Sequence, residues 1–311
     1  MLTFVTGARG AIGRHVVAEA RSRGHRVAGV GHGSWTGDAE LPAIDHWING
    51  GIDGDNLSAL ARVVGEPNMI VHLAGGSLVG DSIQHPGEDF RRSVLSAQQL
   101  LEWLRTNAPT ARLVIASSAA VYGNGHDGPI LETAPFAPVS PYGTHKAIVE
   151  MMAAAYARQY GLSVAIIRLF SVYGPGLRKQ LIWELTCRLL HGERAITLGG
   201  TGQEQRDFVY VRDGAVMLLD AAALADTTSP VFNGSSGRAI SIRELVEMVA
   251  FRFAGARFGF TGEIRPGDPT ILVGNEKRAR AAGLNVTTPL EAGLARTLEW
   301  IEAGRAPDRE R

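Results

Sequence analysis

The chain has 311 residues, 45% of them apolar and 20% charged, enough to bury one large core or two unequal ones. Lys plus Arg and Asp plus Glu both number 31, so the formal charge is zero and no basic excess points to nucleic acid or an anionic membrane. Cys187 is the only cysteine, which excludes an intrachain disulfide framework and fits a reducing compartment.

Met1-Leu2-Thr3 lead straight into an apolar β run and a glycine loop, with no room for a signal peptide. No window approaches the roughly 18 uninterrupted apolar residues of a membrane span. The expectation is a cytoplasmic protein that engages neither membrane nor nucleic acid.

Leu2 to Thr6 reads as a strand that breaks into Gly7-Ala8-Arg9-Gly10-Ala11-Ile12-Gly13, followed by a helical pattern through Val16, Val17 and Ala20. Strand, glycine loop and helix in succession set backbone N–H groups and a helix N-terminus against a diphosphate. Gly7 allows the tight turn, Gly10 the approach of phosphate, and Gly13 the packing of helix on strand, so a dinucleotide site is favoured over a simple turn. Arg26 to Val30 is the second strand. An NAD-selective site carries an acid near its end for the adenosine ribose, but here Gly31 is followed by His32, Gly33 and Ser34, with no carboxylate before Asp38. The missing acid and Arg9, which could pair with a ribose 2′-phosphate, favour NADP(H), with NAD as the alternative. The plainer reading makes Arg9 and His32 loop residues.

Ala43 to Ile48 holds a further strand, and Ile52 and Asp53 sit where an adenine edge is read. Met69 to Leu73 is a buried strand whose end, Ala74-Gly75-Gly76, leaves space for a cofactor. Pro86 to Leu104 reads as one long helix with Phe90, Val94, Leu100, Leu101 and Leu104 facing inward. Arg112 to Ala116 closes on Ser117-Ser118-Ala119-Ala120-Val121-Tyr122-Gly123. A serine there either opens into the same crevice as the glycine loop or merely caps the turn.

Pro141 presets a helix start, which puts Tyr142 and Lys146 one turn apart on one face. A lysine ammonium there favours the tyrosinate and lets the phenol exchange protons near neutral pH. Alone, such a pair is more often a solvated helix face. Ser163 to Leu169 is the next strand, with a sharp exit at Phe170-Ser171-Val172-Tyr173-Gly174-Pro175-Gly176.

Beyond it the alternation loosens: a helix over 179–190, a glycine-rich stretch to Gln205, a strand from Arg206 leading to a helix near Asp213, and a last sheet strand at 231–233. Ser241 caps a helix, short strands and turns fill 256–275, and two helices precede a frayed tail. The whole predicts an α/β fold, a Rossmann-type doubly wound parallel sheet with a smaller C-terminal substrate-binding α/β region. The nine histidines form no metal-like cluster, Cys187 reads as helix packing, and His145 is expected to face away from Tyr142.

Taken together, Thr6-Gly7-x-x-Gly10-x-x-Gly13, His72-Leu73-Ala74, Ser118 before Val121-Tyr122-Gly123, and Tyr142-x-x-x-Lys146 resemble the extended short-chain dehydrogenase/reductases, the NAD-dependent epimerase/dehydratase family acting on nucleotide sugars. Arg168 to Gly176 and Arg206 to Val211 are similar to that family's later motifs. The resemblance covers nearly the whole chain. It implies that Tyr142 is the acid/base on a sugar oxygen, that Lys146 tunes it and holds the nicotinamide ribose, and that Ser118 bonds the same oxygen. It implies a cofactor site of Gly7, Arg9, Gly10, Ile12, Gly13 and His32 at the diphosphate and adenosine end. Ile52, Asp53, Leu73, Ala74, Gly75, Ser117, Phe170 and Val172 complete that site, with Tyr142 and Lys146.

Ser77, Ser118, Ser171, Arg206 and Arg265 are the expected contacts of a nucleotide-diphosphate sugar, the two arginines at its diphosphate. Residues 1–170 with about 206–235 form the expected cofactor domain, about 171–205 with 236–306 the substrate domain, and 307–311 a tail. The resemblance also implies a homodimer through helices of about 86–106 and 142–160.

The chain departs from the family where dehydratases carry an acid or an Asp-Glu pair, for it has Ala119 and Ala120. That speaks against elimination. Ser171 and Ser93 also stand where Asn is common. A 4-ketoreductase using NADPH is expected, with a 4-epimerase recycling NAD as its alternative. A non-catalytic NAD(P) or nucleotide-sugar sensor would have no need of Tyr142.

Overall fold

Parallel strands covered by helices on both faces must be apolar throughout, and the strands of the first half meet that demand. The computed structural model describes residues 1–35, 40–263 and 269–304. Its strands are β1 (Leu2–Thr6), β2 (Arg26–Gly31), β3 (His46–Asn49), β4 (Met69–His72), β5 (Arg112–Ser118), β6 (Val164–Leu169) and β7 (Ser171–Tyr173). They continue as β8 (Ala195–Leu198), β9 (Gln205–Arg206), β10 (Phe208–Tyr210), β11 (Val231–Gly234), β12 (Ile240–Ser241), β13 (Arg257–Phe260) and β14 (Ile271–Leu272). The helices are α1 (Ala11–Ser22), α2 (Gly54–Val64), α3 (Val79–Gln84), α4 (Pro86–Phe90), α5 (Ser96–Asn107) and α6 (Pro141–Tyr160). After them come α7 (Gln180–Leu190), α8 (Val211–Asp220), α9 (Ile242–Ala250), α10 (Lys277–Ala281) and α11 (Leu290–Ala303).

Seven strands form one parallel sheet in the order β11-β6-β5-β4-β1-β2-β3, a Rossmann-type sheet. Successive residues of a strand point to opposite faces, so Phe4, Ile70, Leu113 and Ile166 join one core with Leu57, Leu100, Leu104, Val149 and Ala153 from α2, α5 and α6. Their neighbours Val5, Val71, Val114 and Ile167 join another with Val16, Val17, Ala215 and Leu218 from α1 and α8. A third core, built from Ile182, Leu185, Ile196, Leu245, Val249 and Leu294, belongs to the later helices and short sheets. Among the described residues no helix is long and apolar enough to cross a membrane.

Two sequence expectations are revised. The helix expected over 86–104 is α4, a π turn over Arg91–Leu95, and α5. Ser96 Oγ donates to the carbonyls of Arg92 at 2.5 Å and Ser93 at 3.3 Å, competing with the α ladder. Phe90 is thereby on the outside, 38% exposed, whereas Val94 is buried as expected. The strand from Arg206 breaks at Asp207, leaving β9 and β10 in different sheets. The Asp207 side chain turns inward and accepts from Ser236 N at 2.8 Å, Ser236 Oγ at 2.6 Å and Gly237 N at 2.9 Å.

Candidate active site

In a sheet of this order the crevice opens beyond the carboxyl ends of the strands, where the order reverses between β1 and β4. A cavity of about 1590 Å³ lies there and extends over the first turn of α7. Every cofactor, catalytic and substrate residue expected from sequence lines it, except Arg265, which lies outside the described residues.

The glycine loop is built by contact. Gly7 has φ +70°, and a Cβ on it would stand 2.9 Å from Ala74 N at the end of β4. A Cβ on Gly13 would stand 2.3 Å from Gly7 O, so α1 rests directly on the loop and aims its N-terminus at the cavity, the geometry that receives a diphosphate. At the adenosine end the absence of an acid has a steric partner: a Cβ on Gly31 would lie 2.9 Å from the Trp47 ring. Trp47 Nε1 donates to Gly33 O at 2.9 Å, and its ring packs 5.0 Å from Trp35. Arg9 lies over Gly33 and donates to Ser34 O at 2.9 Å. Asp53 N-caps α2, accepting from Asn56 N at 2.8 Å.

Ser140 and Pro141 start α6 as expected, with Ser140 Oγ accepting from Gly143 N at 3.2 Å. Tyr142 N donates to Ser82 Oγ at 3.1 Å, which ties the helix start to α3. Lys146 Nζ donates to Ala116 O at 3.0 Å and lies 5.8 Å from the centre of the Tyr142 ring. Ser118, at the end of β5, lines the same cavity as Tyr142 and favours the ionised form of its phenol. Burial pushes Lys146 down to about 8, resisted by the negative charges of Asp89 and Glu150. Burial likewise pushes the Tyr142 phenol above its usual 10.0, with help from Asp89. At the phenol, burial and the Asp89 charge outweigh the contribution of Ser118.

His72, at the end of β4, is held neutral, its pKa lowered to about 3 by burial and by Lys146; its Nδ1 meets Thr6 Oγ1 at 2.8 Å.

Behind the cavity α6 is clamped to β6. Arg168 Nη2 lies 2.8 Å from Glu150 Oε2, Arg168 Nε lies 3.1 Å from both carboxylate oxygens, and Nη1 donates to Glu132 O at 3.0 Å. Ser117 donates its hydroxyl to Glu150. Ala119 is buried and Ala120 lines the cavity, so the positions after Ser118 bring no proton donor or acceptor to it.

At the far end Arg206 Nη1 donates to Pro269 O at 2.7 Å and Gln205 O at 2.9 Å. Lys179, the N-cap residue of α7, donates from Nζ to Ser77 O at 3.0 Å. Sequence reading missed Lys179 and Trp47, which the fold delivers from other segments; the only signal for Lys179 was its place between a sharp chain exit and an amphipathic helix. His145 does face away from Tyr142, but into the protein: it bonds buried Asp89, a pairing no local pattern announces. Among the described residues no group of His, Cys, Asp or Glu is arranged to hold a metal.

Comparison with known proteins follows the same outline. Residues 3–233 match the NAD dependent epimerase/dehydratase family. The structure of MoeE5 in complex with UDP-glucuronic acid and NAD is similar, with 34% identity and a TM-score of 0.86 over 98% of this chain and 100% of that one. UDP-glucose 4-epimerase of Streptomyces lividans is 31% identical over 96% of this chain and 95% of its own. dTDP-glucose 4,6-dehydratase of Xanthomonas campestris pv. campestris is 28% identical over 96% of this chain and 92% of its own.

Proposed function

The chain belongs to the NAD-dependent epimerase/dehydratase family, and from that membership we propose that it is a 4-epimerase of a UDP-hexose that recycles bound NAD. The observation carrying this reading is that Ser118, Tyr142 and Lys146 line the cavity that also holds the glycine loop, with Lys146 Nζ 5.8 Å from the centre of the Tyr142 ring. When bound, the nicotinamide supplies reversible hydride acceptance and, oxidised, a positive charge. Tyr142 takes the proton of the sugar 4-hydroxyl as the carbon gives up hydride, Ser118 holds the same oxygen, and Lys146 keeps a positive charge beside both. Once the keto sugar has turned, Tyr142 would return the proton to the same oxygen, and hydride supplied to the other face of the carbon would complete the inversion.

Elimination is disfavoured because Ala119 and Ala120 offer no acid or base next to Ser118. Residues 1–170 with about 206–235 serve the cofactor in this reading, and 171–205 with 236–306 serve the sugar nucleotide. Arg206, on the cavity wall, meets the diphosphate in this reading. Lys179 favours an acidic hexose such as glucuronate: among the described residues its ammonium bonds a backbone carbonyl at the cavity wall and forms no ion pair.

One observation favours the second reading, a 4-ketoreductase drawing on NADPH: Gly31 leaves the end of β2 without an acid, and Arg9 stands close by. Extraction of the co-purifying cofactor, with NMR of UDP-glucose and UDP-glucuronate incubated with the protein, separates the two. Bound NAD and interconversion of C4 epimers support the epimerase; loosely bound NADPH with no epimer formed overturns it. Tyr142→Phe is expected to lower turnover by about 10²–10⁴-fold, and an unchanged rate would remove Tyr142 from the chemistry.

A further inference from the structure

One buried carboxylate next to the reacting pair has no part in the chemistry above. Asp89 is the penultimate residue of α4, and its side chain is 7% exposed. It bonds His145 Nδ1, on a ring 10% exposed, from the residue that immediately precedes Lys146 on α6. The Phe90 ring closes the edge of His145 at 5.4 Å between centroids. On its other side Asp89 abuts the cofactor wall: a Cβ added to Gly76 would fall 1.6 Å from Asp89 Oδ1. Gly76 N donates to Ser93 Oγ at 2.9 Å, so the β4 exit loop is fitted to α4 and the π turn at two points. π turns of this kind often accompany functional sites.

β5 offers Lys146 only the Ala116 carbonyl, and β4 offers His72, which is neutral. On α6 itself Glu150 is already engaged by Arg168 from β6 through both carboxylate oxygens. On the solvent side of α4, Glu88 and Arg92 pair with each other, while His85 and Arg91 are exposed. Asp89 is the carboxylate acting on Lys146 that no arginine or lysine pairs with among the described residues. The hydrogen bond between His145 Nδ1 and Asp89 fixes where that carboxylate sits.

We propose that Asp89, oriented by His145, is a positioning residue for the proton transfer, the fixed counter-charge that keeps the Lys146 ammonium charged and holds the Tyr142 phenol in its acid form until substrate and cofactor are bound. The inference rests on the catalytic reading of Tyr142 and Lys146. Its direction agrees with the two shifts already described, since Asp89 raises both Lys146 and Tyr142.

The test is the pH profile of kcat/KM for the holoenzyme. Asp89→Asn keeps the shape and removes the charge. An ammonium without its counter-charge loses its proton at lower pH, so the alkaline limb moves down. A phenol without a neighbouring anion also ionises at lower pH, so the acid limb moves the same way. The whole profile is expected to shift toward acid by about 1 pH unit, the scale of one nearby charge in a partly screened interior.

His145→Leu, which removes the hydrogen-bond partner that orients Asp89, should reproduce the shift, and it carries the test if Asp89→Asn does not fold. His145→Gln, which keeps a donor, should restore the wild-type profile. A loss of rate with unmoved limbs, or limbs that move in opposite directions, overturns the proposal. Tyr142→Phe serves as the control: if it retains turnover the catalytic reading itself has failed, whereas an inactive Tyr142→Phe beside an unshifted Asp89→Asn refutes only the role of Asp89.

Discussion

Glu150→Gln tests how α6 is held against the sheet. Arg168 makes three contacts of 2.8–3.1 Å with the Glu150 carboxylate, and the two side chains are 5% and 3% exposed. An isosteric amide leaves the guanidinium buried without its counter-charge, and removing one member of such a pair costs about 3–5 kcal/mol. In a chain of this size that corresponds to a fall in Tm of roughly 5–15 °C. The apolar double replacement Glu150→Leu with Arg168→Met removes both charges, and Met can still pack on the Tyr122 and Phe136 rings that Arg168 now covers at 4.8 and 5.0 Å. Its stability is expected to return to within about 2 kcal/mol of the parent. Scanning calorimetry of both proteins decides the matter. A Glu150→Gln variant that melts within about 2 °C of wild type, or a double variant as unstable as the single, would refute the argument that charge burial dominates here.

The other predictions concern the cavity and the surface. Gly31→Asp drives a side chain into the Trp47 ring and is expected to weaken NAD and NADP alike in calorimetric titration; with Trp47→Ala it should shift preference toward NAD by about tenfold or more, and an unchanged preference would count against the steric account. Lys179→Met should raise KM for UDP-glucuronate by roughly tenfold while leaving UDP-glucose near its original value; equal effects on both substrates would dismiss the acidic-sugar assignment. We propose that the exposed apolar side chains of the 86–106 and 142–160 helices, Leu95 at 45% and Met151 at 53% exposure, are covered by a second copy of the chain. Light scattering at micromolar concentration should then show a dimer for the wild type and a monomer for Met151→Glu, and a monomeric wild type would sink the assignment.

The elements that sequence made legible are those whose cause is local. The glycine loop is a matter of backbone conformation, and Gly7 at φ +70° needs no distant partner to explain it. Buried parallel strands announce themselves by continuous apolar runs, and the start of α6 by Ser140-Pro141, whose cap and fixed φ act within one turn. The spacing of Tyr142 and Lys146 follows from the helix repeat. Chain order alone placed Ser118 at a strand end, and the alternation of strand and helix implied the crevice that those residues share.

Tertiary structure decided what depends on segments far apart in the chain. The π turn after Phe90 arises where two serine hydroxyls meet carbonyls and the Gly76 amide, and helical periodicity cannot register such competition. Asp207 looked like part of one strand, yet it turns inward because donors from Ser236 and Gly237 await it across the fold. The vacancy at Gly31 is readable as a missing acid, but only packing shows that Trp47 takes the space. Above all, sequence places an ammonium beside a phenol and so predicts a readily ionised tyrosine. The folded protein buries both, and the cost of desolvating a charge, which depends on everything packed around it, opposes ionisation of the phenol.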